Sequence, residues 1–148
     1  MERTFVMIKP DGVQRGLATR IMGAIEGKGY KLVALKMIKL SLDMAKKHYA
    51  EHIGKPFYNS LIEFITSGPV IAMVWQGPDV IKGIRNLMGS TNPLDAQPGS
   101  LRGNYGVDIS HNLVHGSDSI ESAKREIEIY FQSNELIEYP RDIEKWIW

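Results

Sequence analysis

Apolar residues recur along this chain with two spacings, and each spacing predicts one kind of element. Short runs of apolar or alternating residues predict β-strands, whereas apolar residues three or four positions apart predict amphipathic helices. The strand pattern covers residues 4–8, 31–40, 70–75 and 113–115. The helical pattern covers residues 17–28, 43–52, 57–65, 78–88 and 118–131. Strands and helices therefore intermix, which favours a domain whose helices pack on a shared sheet.

The same spacings predict which side chains face the core. In the second strand, Val33, Leu35 and Met37 fall on one face. The third strand is apolar throughout, which predicts a central strand buried on both faces. The inward residues predicted for three of the helices are Phe57, Leu61, Phe64 and Ile65, then Ile81, Ile84 and Met88, and finally Ile120, Ala123, Ile127 and Phe131.

Two acidic residues are predicted to begin helices. Asp43 stands near the start of one helical stretch, and Asp118 stands three residues before Glu121, which is capping-box spacing. At the other end of the chain, residues 139–148 are rich in aromatic residues. An exposed aromatic tail would be adhesive, so we expect it to pack on the body or on a neighbouring subunit.

Residues 89–112 contain many turn-forming residues and little periodicity, and we interpret them as a functional loop because such long connections are uncommon. This loop holds Thr91, Arg102 and Asn112. No repeat or linker divides the chain, so residues 1–148 are predicted to form a single domain. The pattern alone does not separate a ferredoxin-like antiparallel sheet from a doubly wound parallel one.

Composition narrows the function classes. The sequence is 43% apolar and 24% charged with a net charge of +1, so no bulk charge favours nucleic acid or an anionic membrane. It has no cysteine, which excludes disulfides and thiolate metal sites and favours a reducing compartment. The longest apolar run, over residues 70–75, is too short to span a bilayer. We therefore expect a cytoplasmic protein.

Known phosphate and metal motifs are incomplete here. Gly27-Lys28-Gly29 resembles part of a P-loop, but it lacks the following Ser or Thr and precedes a strand instead of following one. His48 and His52 flank Glu51 in the H-x-x-E-H pattern, which could place two zinc ligands on one helix face. A solvated helix face or a substrate contact explains these residues better, because a zinc enzyme of this kind needs a further ligand and a larger chain.

Several polar residues could form an anion site. Arg85 and Arg102, close to Thr91, could clamp phosphate oxygens, although most arginines simply lie on surfaces. Lys9 ends the first strand, where a side chain can enter a cleft. Phe57 follows Pro56 at a helix start and could be a core residue or a stacking platform for a base.

His115 lies between a short strand and a helix start. A neutral imidazole is a good nucleophile at neutral pH when a partner holds its second nitrogen. Gly116 leaves room for a substrate, and Glu126, in the following helix, could orient the ring. A nucleophile with cationic clamps around it is typical of phosphoryl transfer.

Four stretches together resemble the nucleoside diphosphate kinase family. They are residues 112–119 (NLVHGSDS), 8–16 (IKPDGVQRG), 52–58 (HIGKPFY) and 85–92. The similarity extends from Thr4 to the aromatic C-terminus, and several long motifs in the same order argue against chance. The resemblance implies an α+β, ferredoxin-like βαββαβ fold with a four-stranded antiparallel sheet, helices packed on it and a long loop before the last strand.

The resemblance also implies a reaction and its residues. The γ-phosphoryl of a nucleoside triphosphate would move to a nucleoside diphosphate by a ping-pong mechanism through a phosphohistidine. His115 would attack through Nδ1, Glu126 would hold the other ring nitrogen, and Ser117 would lie nearby. Phosphates would contact Arg85, Arg102, Thr91, Tyr49 and His52; sugar hydroxyls and the end phosphate would contact Lys9 and Asn112; the base would lie between Phe57 and Ile109, where valine is usual.

Cofactor and partners follow from the same resemblance. Mg²⁺ would travel with the nucleotide phosphates near Asp118, without a protein cage. Partners would be ATP and other nucleoside di- and triphosphates, and neither membrane nor nucleic acid would be required. Family members are hexamers or tetramers, and the aromatic tail and Pro93 favour a hexamer.

Two other functions compete. A single-stranded nucleic-acid-binding module of the same fold class would use Phe57 and the arginines, but it leaves His115, Gly116 and Ser117 without a role. A small zinc hydrolase would use His48 and His52 and predicts bound metal. Both explain fewer residues than the kinase interpretation does.

Overall fold

The computed structural model describes residues 1–148 and contains one four-stranded antiparallel sheet. Across the sheet the order is β2-β3-β1-β4, for β1 (Arg3–Ile8), β2 (Lys31–Lys39), β3 (Pro69–Gln76) and β4 (Val114–Gly116). Every neighbouring pair of strands is antiparallel. The ferredoxin-like prediction is therefore confirmed, and the parallel, doubly wound alternative is wrong.

The helices occupy both faces of this sheet. They are α1 (Pro10–Gln14), α2 (Ala18–Lys28), α3 (Leu42–His48), α4 (Tyr58–Ile65), α5 (Val80–Met88), α6 (Leu101–Tyr105) and α7 (Ile120–Tyr130). None is long and apolar enough to cross a membrane. The five longer segments match the predicted helices, with α3 shorter than expected.

Two short helices were not predicted, because neither is long enough to show a period. Pro10 opens α1 at the first helical position, where the missing proline N–H is no loss. Ser100 begins α6 inside the predicted loop, and its hydroxyl accepts a hydrogen bond from the Gly103 N–H at 3.0 Å. The loop over residues 89–112 is thus partly helical, and α6 carries Arg102 into the site.

Two apolar clusters lie on opposite faces of the sheet. Residues of α2 and α5 pack on Trp75 and its neighbours from one side. Residues of α3, α4 and α7 pack on Phe5 and Val74 from the other. β3 is buried from Val70 to Gln76, as predicted for a central strand, and the inward residues predicted for α5 are all buried.

The predicted face of β2 is wrong beyond its first residue. Val33 is buried, but Leu35 and Met37 are 50% and 60% exposed. The pairing with β3 shifts register between Leu32 and Ala34, and such a bulge reverses the side-chain alternation that follows it. β2 is also an edge strand with no strand beyond it, although the Ile137 N–H donates to the Val33 carbonyl at 2.9 Å.

Two predicted helix faces need correction. In α4 the buried residues are Ile62 and Ile65, whereas Leu61 and Phe64 are only partly covered. Phe57, also predicted to face inward, precedes the helix and is 47% exposed. In α7 Ala123 faces the core, as does Phe131 directly after the helix, but Ile120 in the first turn is 66% exposed.

Serines, not aspartates, begin the two helices discussed above. Ser41 accepts a hydrogen bond from the Met44 N–H, and Asp43 lies inside the first turn of α3. Ser119 accepts one from the Ser122 N–H at 3.0 Å, so α7 starts one residue later than the Asp118 prediction. A serine hydroxyl satisfies an N–H that the helix itself leaves without a partner.

The aromatic tail packs on the body of its own chain, which is one of the two arrangements expected from the sequence. Buried Lys31 donates hydrogen bonds from Nζ to the Glu138 carboxylate and to the Tyr139 carbonyl. Arg141 donates to the Gly29 carbonyl at 2.9 Å. Trp146 nevertheless remains 80% exposed, so part of the tail is uncovered in a single chain.

Candidate active site

A cavity of about 810 Å³ opens beside β4 and gathers residues from distant parts of the chain. Every predicted site residue except Ser117 lines it. Ser117 lies behind the cavity wall, almost fully buried, and donates a hydrogen bond to a residue that does line it, Glu126. The fold therefore brings the predicted residues together in one place.

His115 is held through one ring nitrogen. Its Nε2 lies 2.6 Å from Oε1 of Glu126, and the same carboxylate oxygen accepts from the Ser117 hydroxyl at 3.0 Å. A carboxylate only accepts hydrogen bonds, so Nε2 carries the proton and the Nδ1 lone pair is left for attack. Glu126 is 4% exposed, which keeps water from competing for this bond.

Backbone hydrogen bonds hold His115 and Ser117 in position. His115 pairs with Met7 in the ladder between β4 and β1, and the Ser117 N–H donates to the Phe5 carbonyl at 3.0 Å. Gly116 lies against Met88, and a Cβ at this glycine would come within 2.7 Å of the methionine sulfur. A larger residue at position 116 would therefore have to displace the Met88 side chain, which packs closely on β4 beside His115.

Lys9 and Asn112 meet across the end of β1. The Lys9 ammonium donates to Oδ1 of Asn112 at 2.6 Å, and the Asn112 amide donates to the Thr91 carbonyl at 2.9 Å. Burial, with a smaller contribution from the positive charge of Arg102, lowers the pKa of Lys9 to about 8. Burial disfavours the charged form of Lys9, and a bound anion would stabilise that charge.

Arg102 is buried and points inward. Its guanidinium donates to the carbonyls of Asn112, Gly89 and Val114 at 3.1, 3.0 and 2.6 Å. Burial first, and then the charge of Arg85, lowers its pKa to about 10. A guanidinium has five N–H donors, so two remain for a ligand. Arg85 is exposed at the cavity and has one long contact, 3.4 Å to the Gly116 carbonyl.

The outer part of the cavity is aromatic and apolar. Phe57 and Ile109 are 47% and 54% exposed, although both are large apolar side chains. The His52 ring lies 5.5 Å from the Phe57 ring and 6.0 Å from the Tyr49 ring. Burial and the Glu126 charge raise the pKa of Tyr49 to about 12, so its hydroxyl is a neutral donor. This end of the cavity suits a flat ring and the other end suits anions.

The similarity of this chain to known proteins shows its family. Residues 2–136 match the family model described as nucleoside diphosphate kinase. The chain belongs to the nucleoside diphosphate kinase family. The finding confirms the predicted family and enzyme class, a phosphotransferase.

Curated relatives match over their full length. A nucleoside diphosphate kinase from Desulforamulus reducens is 58% identical over 148 residues, covering 100% of this chain and 99% of the relative. One from Carboxydothermus hydrogenoformans is 55% identical with the same coverage.

Solved structures match equally well. A family member from Babesia bovis has a TM-score of 0.97 at 45% identity, with both chains covered completely. The nucleoside diphosphate kinase of Halobacterium salinarum, solved in complex with CDP, has a TM-score of 0.97 at 50% identity, with 99% and 98% of the chains covered.

Sequence reasoning did not place His48 in the site of this nucleoside diphosphate kinase family member. It is buried, not on a solvated helix face, and its Nδ1 lies 3.1 Å from the Tyr130 hydroxyl. Its ring meets the His115 ring edge-on with centroids 4.6 Å apart. Burial and the neighbouring His115 lower the pKa of His48 well below its ordinary value, so it is neutral. The sequence signal that could have identified His48 is its spacing from Ala45, which puts both side chains on the buried face of α3.

The zinc interpretation fails on geometry. α3 ends at His48, so His52 is not one turn further on the same helix, and it contacts Lys55 through Nδ1. No group of three or more histidines and carboxylates could hold a metal ion. Asp118 is exposed at the cavity, and hydrogen bonds from Ser122 lower its pKa, so it is an anion there.

Proposed function

We propose that this member of the nucleoside diphosphate kinase family moves the γ-phosphoryl of a nucleoside triphosphate to a nucleoside diphosphate through a phosphohistidine at His115. One observation carries the proposal: the 2.6 Å bond from His115 Nε2 to Glu126, which leaves Nδ1 as the unprotonated nitrogen of a ring that lines the cavity. A nucleophile oriented by a buried carboxylate is the arrangement that covalent catalysis requires.

The first half-reaction balances on these atoms. The Nδ1 lone pair forms a bond to the γ-phosphorus, and the bond from that phosphorus to the β–γ bridging oxygen breaks. The nucleoside diphosphate leaves with the electron pair. The ring becomes a phosphorylated imidazolium whose Nε2–H stays bonded to Glu126, so no proton transfer is needed. A second diphosphate then attacks the phosphoryl group and regenerates the neutral ring.

The cations of the cavity bind the phosphates in this proposal. Arg85 and the two free N–H groups of Arg102 contact phosphate oxygens, with help from Thr91, Tyr49 and His52. Lys9 and Asn112 hold the sugar hydroxyls and the end phosphate. The lowered pKa values of Lys9 and Arg102 support this role. Burial and a neighbouring positive charge disfavour both cations, and a bound polyanion would stabilise them.

The base stacks between Phe57 and Ile109 at the cavity mouth. Stacking uses the π-face that every nucleobase has, so we expect broad tolerance of the base. The Halobacterium salinarum relative was solved in complex with CDP, which supports the binding of a nucleotide by this chain.

Mg²⁺ fits the site as an ion carried by the nucleotide. Asp118 is the carboxylate at the phosphate end, and the remaining oxygen ligands would come from phosphates and water. When bound, the ion neutralises phosphate charge as the phosphoryl group moves. The chain itself then contributes the orientation of His115 and the arginine contacts.

We propose a homohexamer in the cytoplasm. Many of the exposed large apolar residues lie on three separate segments: edge strand β2, the loop over residues 89–112 and the tail. They include Met37, Leu94, Val107 and Trp146. Three such patches suit an assembly with more than one kind of interface. The absence of cysteine suits a reducing compartment.

Steady-state kinetics test the reaction. Initial rates are measured with ATP varied at several fixed concentrations of GDP, CDP, UDP and dTDP, for wild type and His115→Ala. The proposal predicts parallel double-reciprocal lines, four accepted diphosphates and no activity in the variant. Lines that intersect to the left of the axis would indicate direct transfer without a phosphoenzyme.

A further inference from the structure

Leu113, two residues before the nucleophile, has an unusual backbone. Its φ is +76°, a value that an apolar L-residue rarely adopts. The Val114 N–H donates to the Asn112 carbonyl at 2.9 Å, which closes a three-residue γ-turn centred on Leu113. Leu113 is fully buried, and a strained backbone of this kind persists only where its surroundings hold it.

Three contacts from the segment that joins β1 to α1 and from the first turn of α1 hold this γ-turn. Oδ2 of Asp11 accepts from the Leu113 N–H at 3.0 Å. The Lys9 backbone N–H donates to the Leu113 carbonyl at 2.9 Å. A Cβ at Gly12 would come within 2.9 Å of that carbonyl, so only glycine lets the two segments approach this closely. Both polar groups of the Leu113 backbone are thus bonded to the segment Lys9–Gly12.

The γ-turn connects the groups proposed to act on the nucleotide. Asn112 precedes it and bonds to the Lys9 ammonium, and Val114 follows it in β4, directly before His115. Arg102 donates to the carbonyls on both sides of the turn. A relaxed backbone at Leu113 would therefore move Asn112, Arg102 and His115 relative to one another.

The other oxygen of Asp11 also has an unusual environment. Oδ1 is buried and has no hydrogen-bond partner. The negative charge of Asp11 favours the charged forms of both Lys9 and Arg102, opposing the effect of burial on their pKa values. Asp11 is thus the carboxylate that balances these two cations, while its Oδ2 holds the backbone.

We propose that Asp11 is a positioning residue: by holding the Leu113 N–H it keeps the strained γ-turn in place, and through that turn it sets the position of His115 and Asn112. This inference rests on the proposed role of His115 as the phosphorylated residue. Asp11 itself contacts neither the nucleophile nor its carboxylate partner.

The test compares three substitutions. Asp11→Asn keeps an oxygen that can accept from the Leu113 N–H, Asp11→Glu keeps the charge but moves the acceptor by one methylene, and Asp11→Ala removes both. The control is Glu2→Ala, which removes a carboxylate that accepts from the Ile81 N–H at 2.9 Å in another helix. Each protein is mixed with γ-labelled ATP in a single turnover, and thermal unfolding is recorded in parallel.

We expect phosphorylation at saturating ATP to slow by up to about 100-fold in Asp11→Ala, since a displacement of about 1 Å can have that effect. Asp11→Asn should stay within about tenfold of wild type and exceed Asp11→Glu, and Glu2→Ala should lower stability without slowing phosphorylation. In Asp11→Asn the Leu113 amide hydrogen should stay protected from exchange with solvent, because its hydrogen bond is kept.

Three outcomes would overturn the inference. One is Asp11→Ala within twofold of wild type at saturating ATP, and another is Asp11→Glu as fast as Asp11→Asn, a comparison that holds even if Asp11→Ala does not fold. The third is a loss in Glu2→Ala equal to that in Asp11→Ala, which would mean a general effect of stability. Wild-type protein that takes no label would contradict the proposed function itself, and the inference with it.

Discussion

Single side chains set the charge and proton positions on which the proposed chemistry depends. Glu126 fixes the proton of His115 on Nε2, and burial lowers the pKa of Lys9 to about 8. The two residues should therefore respond differently to substitution and to pH. We expect Glu126 to affect the bond-forming step and Lys9 to affect the binding of free nucleotide.

Glu126→Gln should lower kcat by roughly 10- to 150-fold. A hydrogen bond to a charged group contributes about 1.5–3 kcal/mol, and glutamine accepts from Nε2 without stabilising the imidazolium that forms. Steady-state kinetics at saturating ATP and GDP measure the loss. Glu128→Gln is the matched control, because Glu128 is on the same helix and does not line the cavity. A kcat unchanged in Glu126→Gln would contradict the assigned orientation of the ring.

The pH dependence should report Lys9. Its pKa is about 8 in the free protein, so kcat/KM for ATP should fall above pH 8 as the ammonium is lost. Bound phosphate raises this pKa, so kcat should fall at higher pH. Rate profiles between pH 7 and 10 measure both, and Lys9→Arg should move the fall in kcat/KM upward. A fall at the same pH in the variant would assign it to another group.

The lowered pKa also has a consequence for stability. Between pH 8 and 10.5 the unfolded chain binds more protons at Lys9 than the folded chain does. The contribution of this group to the free energy of unfolding therefore rises with pH across that window. Below pH 8 both states are protonated, and the cost of the buried charge is fully present.

Whole helices and strands were predictable where they are long and regular. The apolar stripe of α5 was correct because nine residues show a clear helical period. The face of β2 was wrong because a bulge leaves no mark in the pattern, and α1 and α6 were missed because five residues are too few. Helix caps were misassigned by a residue or two, since Ser119 and Asp118 are equally good cap types.

Ser119→Ala should lower the free energy of unfolding by about 1 kcal/mol, because it removes the bond to the Ser122 N–H at the start of α7. Denaturant unfolding measures the change. Ser133→Ala is the control, since Ser133 is exposed and its hydroxyl makes no hydrogen bond that would be lost. Equal stability of the two variants would mean that Asp118 or solvent takes over the cap.

Over the whole molecule, the site joins residues that the pattern alone could not place together. Lys9 and Asn112 are 103 residues apart and meet only because β1 and β4 are neighbours in the sheet. Resemblance to a family named these residues, but it gave no role to Asp11 or His48. The role proposed for Asp11 depends on the backbone angle of Leu113, and the state of His48 depends on its burial. Such features follow from the packed structure and not from spacing.

The assembly should contain six chains. Light scattering on purified protein should give the mass of six copies of the 16.7 kDa chain. Met37→Glu places a charge on the exposed face of edge strand β2 and should reduce that mass, while Lys46→Glu, at an exposed charged position in α3, is the control. A stable tetramer or dimer of wild-type protein would contradict the proposed hexamer.

Trapping the phosphoenzyme tests the central claim most directly. Protein is mixed with Mg²⁺ and γ-labelled ATP without an acceptor, then quenched in alkali or in acid. The account predicts label that survives alkali, is lost in acid, disappears when GDP is added and is absent in His115→Ala. Wild-type protein that takes up no label, or label that persists in His115→Ala, would contradict a phosphohistidine at this position.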